Sequence, residues 1–123
     1  MDGVIVLEPE YKIDCGTHNV SVLPVVKDLR LPLVATEYIV EVYAKDLNSP
    51  HVIVDYVDTY ENGLEMAYNF VQCYEQASKM GFTLELDYFK HPSGRAIHVS
   101  EAADSNPRIV SRFHRQLIRS IPN

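Results

Sequence analysis

The clearest pattern of apolar and polar positions runs from residue 58 to residue 81. Ala67, Phe70, Val71, Tyr74 and Ala77 recur at spacings of three and four, with Met66, Cys73 and Met80 widening the stripe; Glu61, Glu65, Asn69, Gln72, Glu75, Gln76 and Lys79 fill the other side. This predicts an amphipathic helix lying on an apolar surface. Asp58-Thr59-Tyr60-Glu61 has the form of a capping box at its start. Gly81 stands where a left-handed C-terminal cap wants no Cβ, and Lys79 suits the negative end of the helix dipole. Met, Cys and Phe at helical spacing are ordinary core filling, so no thiol or cofactor chemistry is read from the stripe.

Strand-like sequence flanks this helix. Before it, residues 3 to 8 read as a first strand, and Tyr11 to Cys15 with Asn19 to Val26 as a hairpin turning at Cys15-Gly16-Thr17-His18. Lys27 to Leu33 reads as a loop. Thr36 to Ala44 alternates, with Tyr38, Val40 and Val42 on one face and Glu37 and Glu41 on the other, and Lys45 to Pro50 folds it back on Val52 to Val57. After the helix, Phe82, Leu84, Leu86 and Tyr88 alternate with Thr83, Glu85 and Asp87, which predicts one half-buried strand. A turn at His91-Pro92-Ser93-Gly94 then leads into Arg95 to Ser100, in a register that sets Lys90 opposite Arg95, Tyr88 opposite Ile97 and Asp87 opposite His98. Glu101 to Ser105 is a polar connection, Asn106-Pro107 opens a second helix, and Pro122 ends it after Ile121. The expected fold is α+β: a mostly antiparallel sheet of five to six strands with two helices packed on one face, in a single domain spanning 1–123.

Length and composition agree with that expectation. A chain of 123 residues can bury roughly two thirds of its unfolded surface without a metal or a disulfide. The first residues carry an acid and only a short apolar run, so neither a signal peptide nor a membrane span is expected, and two cysteines suit a reducing, cytoplasmic setting. Charge is segregated. Residues 1 to 104 hold all 17 acids and 7 of the 11 Lys and Arg, a balance of −10, while residues 105 to 123 hold four Arg and no acid. A body of that sign repels a long polyanion, which argues against duplex nucleic acid.

Three constellations could carry chemistry. Arg108, Arg112, Arg115 and Arg119 fall on one face of the second helix, opposite Val110, Phe113, Leu117 and Ile121; arginine forks grip phosphates and carboxylates, although pairing with Glu61, Glu65 and Glu75 or with the acidic sheet is the simpler use. Lys90 and Arg95 flank a hairpin tip with free amides, where an anion could bridge them. Asp87, His98 and Ser100 have the residue types of a carboxylate-held general base, but nothing nearby resembles a nucleophile elbow. His18, His51, His91, His98 and His114 lack the short spacings of zinc ligands, so no metal and no cofactor are expected.

These readings converge on a non-catalytic binding protein, of inhibitor, immunity-like or adaptor type, that presents acidic, Tyr-bearing surface to a basic protein partner; a self-paired homodimer is one assembly it permits. The alternative is a protein that holds a nucleotide or another phosphate-bearing small molecule through Arg108, Arg112, Arg115, Arg119, Lys90 and Arg95. A small hydrolase using Asp87 and His98 ranks third.

Overall fold

The computed structural model describes residues 5–6, 11–46 and 49–120, with backbone alone for 5–6. In chain order the elements are β1 (Ile5–Val6), β2 (Tyr11–Asp14), β3 (His18–Val26), β4 (Glu37–Ala44), β5 (Val52–Val57), α1 (Tyr60–Lys79), β6 (Thr83–Glu85), β7 (Tyr88–Lys90), β8 (Ala96–His98), a 3-10 turn (Val99–Ala102) and α2 (Arg108–Ser120). The remainder of the strand expected over 3 to 8, part of the turn expected over 45 to 50 and the helix end at Ile121 and Pro122 lie outside the described residues.

The fold is α+β, but its strands form two antiparallel sheets where one of five to six strands was expected. The larger follows the path β1-β3-β4-β5, with β2 sharing the same edge of β3 as β1: Ile5 and Val6 pair with Val26 and Val25, while Tyr11 to Asp14 pair with Val22 to Asn19. The smaller is β6-β7-β8. The helices are not a layer on one sheet face either. α1 lies across β3 and β4, whereas α2 packs on α1 and on the 3-10 turn.

α1 ends as its sequence dictates and is capped one residue later than the box at Asp58-Thr59-Tyr60-Glu61 implies. Thr59 is the N-cap, its hydroxyl accepting from the Asn62 amide at 3.1 Å, and Asp58 binds the Asn62 side chain instead of capping. Gly81 follows the last turn with φ +87°. Met66, Ala67, Phe70, Val71, Cys73, Tyr74 and Ala77 are buried, against Val20, Val22, Val40, Val42 and Val54 of the larger sheet in one core. Asn69, expected on the outer side, is buried too, because its amide donates to the Asp104 carbonyl at 3.0 Å and so ties α1 to the segment entering α2.

The largest departure lies between residues 82 and 98. The expected strand from Phe82 to Tyr88 is a hairpin, β6 and β7, turned at Leu86 and Asp87, with Leu86 at φ +56°. The alternation of 82, 84, 86 and 88 takes no account of Phe89. In the structure Phe89 is buried, its ring 5.8 Å from that of Phe70, 5.3 Å from Phe113 and 6.4 Å from Tyr74, while Leu86 and Tyr88 are exposed. Burying a phenylalanine is worth about 1.5–3 kcal/mol. A left-handed leucine costs about 1–2 kcal/mol, so the core wins. The flip of side-chain parity moves the register by one: Lys90 faces Ala96, Phe89 faces Ile97 and Tyr88 faces His98, so Lys90 and Arg95 are not directly opposed. The last strand then stops at His98, and the next four residues close a 3-10 turn where a strand end and a polar connection were expected.

Candidate functional site

The arginines of α2 stand on its exposed face, as spaced, while Ile109, Phe113 and Leu117 are buried beneath them. Arg112 donates to Asp104 at 3.3 Å. Among the described residues Arg108, Arg115 and Arg119 have no carboxylate partner, and neither have Glu61, Glu65 and Glu75, so the two helices do not neutralise one another. Lys90 and Arg95 flank a closed tip, in which the His91 amide donates to the Arg95 carbonyl and the Gly94 amide to that of His91. That tip packs near the end of α1, with the His91 ring 4.9 Å from Phe82. No described hydrogen bond or ion pair joins it to the arginines of α2.

Asp87, His98 and Ser100 do meet. The Asp87 carboxylate lies 3.2 Å from Nε2 of His98, and the Ser100 hydroxyl 2.9 Å from Nδ1. The backbone amide of Ser100 also donates to Nδ1, at 3.1 Å, which makes the imidazole the cap of the 3-10 turn. The same local arrangement recurs at the hairpin tip, where Nδ1 of His91 receives the Ser93 amide at 3.1 Å and lies 2.8 Å from its hydroxyl, with no carboxylate bound to the ring among the described residues. A His-x-Ser turn that forms with or without an acid is a backbone device. It does not by itself activate a nucleophile.

Two further clusters have no counterpart in the sequence reading. On the outer face of the larger sheet, Nδ1 of His51 lies 2.7 Å from a carboxylate oxygen of Glu41, and its ring stacks on Tyr43 with centroids 4.1 Å apart. The Tyr43 hydroxyl accepts from Ser21 at 3.3 Å, and the Lys12 ammonium stands 5.9 Å from the ring centroid. The signal was present in sequence: Glu41 and Tyr43 share the outward parity of β4, and a hairpin through 45 to 50 returns His51 beside them. The arrangement orients an imidazole, yet no nucleophile is hydrogen-bonded to it among the described residues.

The second cluster sits at the turn into β3. The hydroxyls of Thr17 and Tyr74 are 2.8 Å apart, and both approach Nδ1 of His18, at 2.9 and 3.2 Å. His18 is only 8% exposed, and burial lowers its pKa from the ordinary 6.5, so the ring is neutral at pH 7. Cys15 nearby and Cys73 on α1 are both free and buried, and burial pushes each thiol up to about 12; neither is a thiolate nucleophile at neutral pH. Among the described residues no group of three His, Cys, Asp or Glu could hold a metal, and no helix is long and apolar enough to cross a membrane. Comparison with known proteins adds no assignment to these sites: no family model, curated protein or solved structure matches the chain.

Proposed function

We propose that the protein is a non-catalytic binding module that offers the outward face of α1 to a basic segment of another protein. The observation that carries this reading is the run Glu61, Glu65, Tyr68, Gln72 and Glu75, all exposed, at i, i+4, i+7, i+11 and i+14 along one helix and with no cation among them. Their carboxylates have no ion pair among the described residues. Tyr68 is 50% exposed and its hydroxyl lies 2.7 Å from that of Tyr11, a contact that restrains its ring. Beside it Glu65, Tyr68, Asn69, Ser105 and Pro107 line a cavity of about 330 Å³. One exposed ion pair contributes only about 0–1 kcal/mol, so a row of acids steers and orients a cationic segment while a tyrosine beside a cavity anchors it.

A short oligolysine peptide is a suitable probe, titrated calorimetrically at low and at physiological ionic strength. Glu65→Lys with Tyr68→Ala is expected to weaken binding about tenfold or more while thermal unfolding stays unchanged. Equal binding by that variant would overturn the reading. A second reading rests on the three unpartnered arginines of α2, whose forks suit a nucleotide or another phosphate-bearing small molecule.

A further inference from the structure

We infer that the cleft between the two sheets is a binding site for a small, largely apolar molecule bearing one hydroxyl group, which the buried ring of His18 receives. The cleft holds about 280 Å³ and is walled by Val42, Pro50 and Val52 on the side of the larger sheet and by Leu84 and Leu86 on the side of the smaller. His18 lines it, at the start of β3 and opposite Ala44 of β4. Tyr43, Ser49 and Glu85 also line the cleft. Mostly apolar walls with a few placed polar groups, of which His18 is the buried one here, are the usual make-up of a small-molecule site, and this volume suits one ring with a short substituent.

The polar group is set by the turn below it. Nδ1 of His18 is taken by the hydroxyls of Thr17 and Tyr74, which fixes the plane of the ring. Among the described residues Nε2 has no hydrogen-bond partner, although the residue is more than nine-tenths buried. Nor is Nε2 among the sealed polar atoms that lack a partner, so it opens onto free space, and the cleft is the described cavity that His18 lines. A nitrogen that is open to the cleft, on a ring fixed through its other nitrogen, is a ready hydrogen-bonding position that a ligand can take over from solvent.

The chemistry of the walls selects the ligand. Apolar surroundings disfavour a charge of either sign, and a carboxylate would also meet Glu85, which lines the same cleft, with no imidazolium to offset it. A hydroxyl both donates and accepts, so it satisfies Nε2 whichever nitrogen of the ring carries the proton. The left-handed backbone at Leu86, in the turn between β6 and β7, is what carries this side chain to the mouth of the cleft.

The test uses para-ethylphenol and its hydroxyl-free counterpart para-ethyltoluene, followed through the ring nitrogen resonances of His18. The phenol is expected to shift the Nε2 signal saturably and to bind about tenfold more tightly than the toluene, the worth of one hydrogen bond. Ala44→Leu, which adds bulk opposite His18 and leaves Thr17 and Tyr74 alone, is expected to abolish the shift. Equal affinity for the two compounds, an unmoved His18 signal, or undiminished binding by Ala44→Leu would overturn the inference. Should that variant fail to fold, the shift and the affinity ratio in the unaltered protein decide the matter alone.

Discussion

An imidazole taken out of water resists protonation, and at His18 this has a definite sign. The group's pKa is lowered in the folded chain from the ordinary 6.5 by burial. Well above pH 6.5 both folded and unfolded chains carry it neutral and it contributes nothing to pH dependence. As pH falls through that value the unfolded chain takes up the proton and the folded one does not, so stability is lost, at a slope of up to about 1.4 kcal/mol per pH unit. His18→Gln, compared with the unaltered protein by urea unfolding between about pH 7 and pH 5, is expected to remove that slope while the stability lost at lower pH through the paired Asp14 and Asp28 remains. An unchanged slope would place the proton uptake elsewhere. Little at this scale was legible beforehand. His18 reads as a turn residue in sequence, because the Tyr74 hydroxyl that engages it comes from 56 positions away. Asp87 and His98 were legible as a pair, yet the pairing arises from a turn and not from the register that suggested it.

At the scale of elements, legibility follows how local the determining force is. The limits of α1 depend on Thr59, Lys79 and Gly81, all within a turn of the helix ends, and the structure keeps the end at Gly81 and moves the cap only one residue, from Asp58 to Thr59. The break at Leu86 depends on Phe89 reaching Phe70 and Phe113, contacts that no window of neighbouring residues contains. The same long-range control governs Gly63. It lies in the first turn of α1, where helix propensity alone would favour alanine by about 1 kcal/mol. A Cβ there would stand 2.9 Å from Cγ1 of Val22 and 3.4 Å from Cγ2 of Val57, and Val22 is fully buried in β3 and cannot yield. Overpacking of that kind costs about 1–3 kcal/mol and outweighs the propensity gain. Gly63→Ala is therefore expected to lower the urea midpoint, and a rise would mean that helix and sheet approach less closely than this.

Across the whole molecule the dominant fact is that charge is sorted without being cancelled. The segment 105–123 holds four Arg and no acid beside a body of net −10, and yet only Arg112 finds a carboxylate among the described residues. If folding needed this face, the arginines would be tied to the acids of α1; they are not, and exposed pairs would contribute little in any case. Replacing Arg115 and Arg119 together by alanine is therefore expected to change unfolding free energy by less than about 0.5 kcal/mol per site. The same variant separates the two readings of the molecule. A nucleotide that raises the melting temperature of the unaltered protein at low salt, but not that of the variant, places an anion on α2. A protein whose melting temperature no phosphate compound moves, in either form, leaves the acidic row of α1 as the surface on which binding should be sought. A large loss of stability in the variant that grows with protein concentration would mean that these guanidinium groups pair with a second copy of the chain, the self-paired homodimer that the protein-binding reading permits, and would exclude the phosphate reading.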